Sequence, residues 1–90
     1  MKKTALIHLY GMVQGVGLRY QVYIKSNELG LKGYVNNLFD GSVKMEVEGD
    51  KQDILKLIEF IKNGMHYVRV EDMDIEWSEY KGKYMDFDIH

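Results

Sequence analysis

The chain has 90 residues, a formal net charge of −2, 46% apolar and 29% charged residues, and neither cysteine nor proline. This is the profile of one soluble globular domain over residues 1–90. It excludes disulfides and thiolate metal sites and argues against a general nucleic-acid binder, which carries a basic face. No run reaches the roughly 20 apolar residues that span a bilayer. The short apolar run behind Lys2 and Lys3 is interrupted by His8 and Tyr10, unlike a signal peptide, so a cytoplasmic protein without membrane contact is expected.

In chain order, ALIHLYG (5–11) reads as a central strand ending at glycine. The segment GMVQGVGLR (11–19) follows, with three glycines in seven positions and then an arginine. Leu18, Val22, Ser26 and Leu29 form one helical stripe that Gly30 stops. GYVNNL predicts a second strand, Asp40-Gly41 a turn, and SVKMEVEG a third strand. In that third strand Val43, Met45 and Val47 point to one face, and Lys44, Glu46 and Glu48 to a face expected to be wet. Asp50 is placed to cap a second helix, with Asp53 in its first turn, an apolar face of Ile54, Leu57, Ile58 and Ile61, and a stop at Asn63-Gly64. Residues 68–79 return to strand, where a change of phase between Val70 and Met73 predicts a bulge or bend, and Met85, Phe87 and Ile89 alternate in a short last strand. This order predicts an α+β fold: a ferredoxin-like sandwich with a four-stranded antiparallel sheet, a short fifth strand and two helices on one face. Right-handed crossovers put the first and third strands in the centre. The fold alone assigns no function.

Residues 11–19 are the natural place to look for a site. The first N–H groups of a helix have no intrahelical partner, and glycines just before them permit main-chain conformations that enclose an anion. Arg19 falls in the first helical turn, where the helix dipole disfavours a cation unless an anion joins it. Its planar fork matches two oxygens of a tetrahedral phosphate. The spacing fits neither GxxxxGK with a following hydroxyl nor GxGxxG. On the residues alone two readings stand equal: an anion site, or a tight strand-to-helix turn with Arg19 extended to water. For Asn36 and Asn37, which alternate to opposite faces, the plain reading is that asparagine precedes a turn.

The residues 11–49 resemble the acylphosphatase family. Gly11, Val13, Gln14, Gly15, Val16 and Arg19 match G-x-V-Q-G-V-x-F/Y-R, while Gly33, Tyr34, Val35, Asn37, Asp40, Gly41, Val43 and Gly49 match G-aromatic-V-x-N-x-x-D-G-x-V with a later glycine. The resemblance implies a metal-independent hydrolase, without cofactor, that splits acyl phosphates into a carboxylate and inorganic phosphate. It implies that main-chain N–H groups of Gln14, Gly15, Val16, Gly17, Leu18 and Arg19, with the Arg19 side chain, hold the phosphoryl group, and that Asn37 positions the attacking water. Phosphate or sulfate is then the expected bound anion. Leu18 stands where the family has an aromatic, Met12 at a position that is often basic, and Phe39 in place of a frequent proline.

The other candidates carry plain readings. His8, His66 and His90 lack metal-ligand spacing, His8 being expected on the sheet surface. Glu71, Asp72, Asp74 and Glu76 lack the loop glycine of a calcium site and read as a solvated strand face. Tyr20 and Tyr23 are expected to pack at a helix–sheet margin rather than stack on a base. Two alternatives to the hydrolase stand beside it: a module that holds a phosphorylated ligand without turnover, and a ferredoxin-like RNA-binding domain. The second is disfavoured by Glu46, Glu48, Asp74 and Glu76 on its sheet face. A monomer is expected.

Overall fold

In the computed structural model, which describes residues 1–90, the elements are β1 (Lys2–Met12), α1 (Leu18–Glu28), β2 (Lys32–Asn37), β3 (Val43–Asp50), α2 (Lys51–Asn63), β4 (Arg69–Glu79) and β5 (Phe87–Ile89). The strand order is β4-β1-β3-β2-β5, so β1 and β3 are central. Four strands pair antiparallel and β5 joins the β2 edge in parallel. This is the ferredoxin-like α+β sandwich. No helix is long and apolar enough to cross a membrane.

β1 is longer than ALIHLYG suggests because its two neighbours together cover it, β3 from Lys2 opposite Asp50 to Leu9 opposite Val43 and β4 from Lys3 opposite Glu79 to Met12 opposite Arg69. Its pairing with β4 shifts after Tyr10: Tyr10 lies opposite Asp72 but Gly11 opposite Val70. Glu71 is therefore the extra residue of a bulge, at the phase change expected there. Gly11, at φ 126°, is the partner that permits it, since a Cβ there would fall on the Arg69 carbonyl oxygen.

The core lies between sheet and helices. Ala5, Ile7 and Leu9 of β1, Val43, Met45 and Val47 of β3, and Leu18 and Val22 of α1 are buried in it, with the Ile54, Leu57, Ile58 and Ile61 face of α2. α1 ends as its sequence indicates. The Gly30 N–H donates to Asn27 O at 3.1 Å and the Leu31 N–H to Ser26 O at 2.8 Å, which satisfies two of the last carbonyls.

The opposite face of the sheet is not the open wet surface expected from β3. Glu46 and Glu48 are buried, Glu48 to 1% exposure. The cause is topological. β4 and β5 lie on opposite edges, so residues 80–86 must cross the outer face. Four strand spacings amount to about 19 Å and an extended chain of that length reaches roughly 26 Å, which leaves little slack. Glu48 is the anchor of this strap. It accepts the N–H groups of Lys81 (3.1 Å), Gly82 (3.2 Å) and Lys83 (3.0 Å), together with the Thr4 hydroxyl (2.7 Å). Glu46 accepts the Tyr84 hydroxyl and pairs with Lys83 Nζ at 2.9 Å. Burial pushes both carboxyls up, but these donors outweigh it and hold both below the usual glutamate range.

Candidate active site

Residues 13–17 connect β1 to α1 and form one wall of a hollow of about 220 Å³. Gly15 (φ 72°) and Gly17 (φ 79°) both have left-handed backbone, and a Cβ on either would meet nothing within 4 Å. Glycine is required here by backbone conformation rather than by crowding, and the space beyond it is open. The neighbouring Gly11 is required for the opposite reason, the close approach of another strand.

Gly17 is also the N-cap of α1. It supplies no side-chain cap, and the first turn of the helix contains no acidic residue. The first α1 hydrogen bond with a glycine-loop acceptor is Gln21 N–H to Gly17 O at 3.1 Å, so the amides of Leu18, Arg19 and Tyr20 precede the intrahelical ladder. Val13, Leu18, Arg19, Tyr20, Asn37 and Ile89 complete the lining beside the two glycines.

Arg19 is half-buried and its guanidinium is held from behind. Nη1 donates to the carbonyl oxygen of His90 at 2.6 Å. Residue 90 is itself held twice: its N–H donates to Val35 O at 2.8 Å, and its ring stacks on Tyr34 with centroids 4.9 Å apart and planes 5° from parallel. The guanidinium has five N–H donors, so the contact with His90 leaves others for the hollow. Asn37, the last residue of β2, lies on the same strand face as Val35. Its Oδ1 is buried and has no hydrogen-bond partner. An orphaned acceptor on a residue that lines a hollow calls for a water or a ligand donor.

Gln14 and Val16 take other positions. The Gln14 carboxamide leaves the hollow and donates through Nε2 to Leu38 O (2.7 Å) and Ser42 O (2.8 Å), which ties the glycine loop to the β2–β3 turn that follows Asn37. Val16 packs against the core. The turn is stiffened by Asp40, whose Oδ1 accepts both the Ser42 N–H (2.9 Å) and hydroxyl (2.5 Å). His8, expected on the sheet surface, joins this set through Nε2 to Ser42 Oγ at 2.7 Å and Nδ1 to Tyr10 OH at 3.0 Å. Leu18 is buried, whereas Met12 and Phe39 project to solvent.

The support from residues 89 and 90 was not legible from spacing, because they reach α1 only through the strap and the parallel pairing of β5. The Gln14 tie had no local signal either, because its two acceptors lie 24 and 28 residues along the chain. No group of three or more His, Asp or Glu side chains is arranged to hold a metal ion.

A sequence model of the acylphosphatase family matches residues 5–89. An acylphosphatase of Caldanaerobacter subterraneus subsp. tengcongensis is 52% identical over 90 residues, covering the whole of both chains. The crystal structure of an acylphosphatase from Bacillus subtilis superposes with a TM-score of 0.92 at 32% identity, covering 100% of this chain and 99% of that one. An acylphosphatase structure from Coxiella burnetii gives 0.90 at 30% identity, covering 99% and 93%.

Proposed function

The chain belongs to the acylphosphatase family, enzymes that hydrolyse acyl phosphates, and from that premise we propose how its own residues carry out the reaction. The phosphoryl group sits in the 220 Å³ hollow. The N–H groups of residues 14–19 and the free edge of the Arg19 guanidinium surround its non-bridging oxygens. Asn37 Oδ1 accepts one hydrogen of a water held in line with the bond to be broken. One observation supports this reading above the rest: Asn37, whose carboxamide oxygen has no hydrogen-bond partner, lines the same hollow as Arg19 and the left-handed glycines. A module that only holds a phosphate has no use for a water-orienting group in that place.

In the step itself, the water oxygen bonds to phosphorus as the bond from phosphorus to the acyl oxygen breaks. The carboxylate leaves with the electron pair. A carboxylate is a good leaving group, so no acid is needed to protonate it. An amide does not accept a proton near neutrality, so Asn37 orients the water and is not the base. The water's proton passes to a phosphoryl oxygen, giving inorganic phosphate. Negative charge spreads over three phosphoryl oxygens in the transition state, so positioning and fixed dipoles supply the catalysis. The side chains of this site suffice for such a step without a metal ion.

The direct test is hydrolysis of benzoyl phosphate with inorganic phosphate as competitor. Turnover with competitive inhibition by phosphate is expected; phosphate binding without turnover would replace the enzyme by a binding module.

A further inference from the structure

The β1–β3 ladder ends at Leu9 opposite Val43, so Ser42 lies just past it and the β2–β3 turn has no ladder bond to the central strand. A side chain joins the two instead. Ser42 is the diagonal neighbour of His8, whose ladder partner is Lys44, and His8 Nε2 lies 2.7 Å from Ser42 Oγ. Asp40 settles the direction of this bond. The Ser42 hydroxyl and N–H hold the Asp40 carboxyl below the usual aspartate range, so it is a carboxylate and only accepts. The one hydroxyl hydrogen of Ser42 therefore goes to Asp40 Oδ1, at 2.5 Å, and Ser42 Oγ accepts the N–H of His8 Nε2. In the neutral imidazole Nδ1 is then the bare nitrogen, and it accepts the Tyr10 hydroxyl at 3.0 Å. The Tyr10 ring also stacks on the imidazole, with centroids 4.3 Å apart. The hydrogens run one way, from Tyr10 to His8 to Ser42 to Asp40, and end on a charge, an order in which each bond strengthens the next.

Ser42 is buried, and each of its polar atoms is in use. Besides the bonds to Asp40 and His8, its carbonyl oxygen accepts the Leu38 N–H at 2.9 Å and Gln14 Nε2 at 2.8 Å. One residue thus meets the central strand through His8, the glycine loop through Gln14 and, through Leu38, the residue next to Asn37. We propose that His8 is a positioning residue for the hydrolysis: by fastening Ser42 to β1 it keeps the Asn37 carboxamide, and the water that it orients, in line with a phosphoryl group held by the glycine loop. This rests on the hydrolase reading above and adds a residue which that reading does not use. His8 touches neither the water nor the phosphoryl group, and none of its atoms enters the reaction. A small displacement of the nucleophile is enough to slow an in-line step. The anion itself is bound by Arg19 and the loop amides, so loss of the His8 bond lowers kcat and leaves phosphate binding in place.

The test compares His8→Leu, which has no donor, with His8→Gln, whose amide nitrogen reaches Ser42 Oγ as the imidazole Nε2 does. Each is made alone and together with Asn37→Ala, with benzoyl phosphate as substrate and inorganic phosphate as inhibitor. Rates are taken per mole of phosphate-binding sites, so incomplete folding of a variant does not enter them, and His8→Ala replaces His8→Leu should the latter not fold. His8→Leu is expected to lower kcat roughly tenfold, the scale of a shift smaller than the 1 Å that costs about a hundredfold, with the phosphate inhibition constant unchanged. His8→Gln is expected to restore kcat to within about threefold of the parent, since the hydrogen bond is remade. In the Asn37→Ala background His8→Leu should change kcat by less than about twofold, because its effect passes through the group already removed. A parental kcat in His8→Leu, an equal fall in His8→Gln, or the same tenfold fall in the Asn37→Ala background overturns the role of His8 and leaves the hydrolase reading intact. A parent chain that does not hydrolyse benzoyl phosphate overturns the hydrolase reading, and the role of His8 with it.

Discussion

The two helices begin in opposite ways. α2 is closed by its own side chains: Asp50 Oδ1 accepts the Gln52 N–H at 3.0 Å, and Asp53 lies in the first turn. α1 begins at a left-handed glycine, without a side-chain cap or an acidic residue, and has Arg19 in its first turn. Either end of a helix could use a cap worth about 1 kcal/mol. That α1 forgoes one, and adds a cation where the dipole disfavours it, is the arrangement our proposal requires of an end that receives an anion from outside the chain. On that proposal one helix start serves stability and the other serves chemistry. Substitutions at the two starts should therefore separate the two properties.

The largest effect is expected at Arg19. Arg19→Ala should lower kcat/KM by an amount equivalent to about 2–4 kcal/mol, the scale of one essential oxyanion donor. Arg19→Lys should recover little of it, because a single ammonium does not reproduce a fork held between His90 O and the substrate. Steady-state kinetics on benzoyl phosphate checks both; near-parental turnover in Arg19→Ala would remove the distinction between the two helix starts. Asn37→Ala should follow, with kcat down about a hundredfold, the cost of a misplaced nucleophile. Its inhibition constant for inorganic phosphate should stay close to the parental value, because the carboxamide contacts the water and not the anion.

The next effect concerns the strap, which supports Arg19 from the far side through β5. Glu48→Gln presents an NH₂ group to donors that now meet a carboxylate, so at least one buried N–H or O–H loses its acceptor. The expected loss is about 2 kcal/mol, or roughly 8–16 °C in Tm. The pH dependence follows from the sign of the shifts. Glu46 and Glu48 are held below their ordinary values when folded. Their stabilisation is therefore complete above the unfolded glutamate pKa of about 4.3 and is lost as the pH falls through the lower folded values. Tm should be level above about pH 5 and drop below about pH 4, and Glu48→Gln should flatten that drop. The smallest effects return to the helix starts. Asp50→Ala should cost about 1 kcal/mol of stability and leave kcat unchanged. Gly17→Ala should cost about 1–2 kcal/mol in stability, from its φ of 79°, and reduce activity by more than that strain explains, because the amides of α1 move with it.

How much of this was legible in the sequence depends on whether the deciding contacts are local. The apolar face of α2, its Asp50 cap, the Asp40-Gly41 turn and the phase change at Val70 to Met73 are consequences of neighbours in the chain, and each is found where periodicity places it. Glu46 and Glu48 read as solvent-facing because alternation reports only the face of a sheet and not what crosses it. Their burial depends on a strap joining opposite sheet edges, which has no short-range signature. The same holds for the site. The glycines and Arg19 stand out by residue type as well as by their match to a family pattern, and Asn37 by that match alone. The His90 carbonyl behind Arg19, the Gln14 tie to Leu38 and Ser42, and the Tyr20 wall follow from tertiary placement alone.

The central claim is that an oxyanion is bound jointly by the α1 start and Arg19. The most direct measurement is a titration of the ¹⁵N-labelled chain with inorganic phosphate, followed through its backbone amide resonances. Amides of residues 14–19 should shift together along one saturable curve, those of residues 51–53 at the α2 start should not move, and the saturable shifts should vanish in Arg19→Ala. Equal shifts at both helix starts, or an unchanged binding curve in Arg19→Ala, would contradict it.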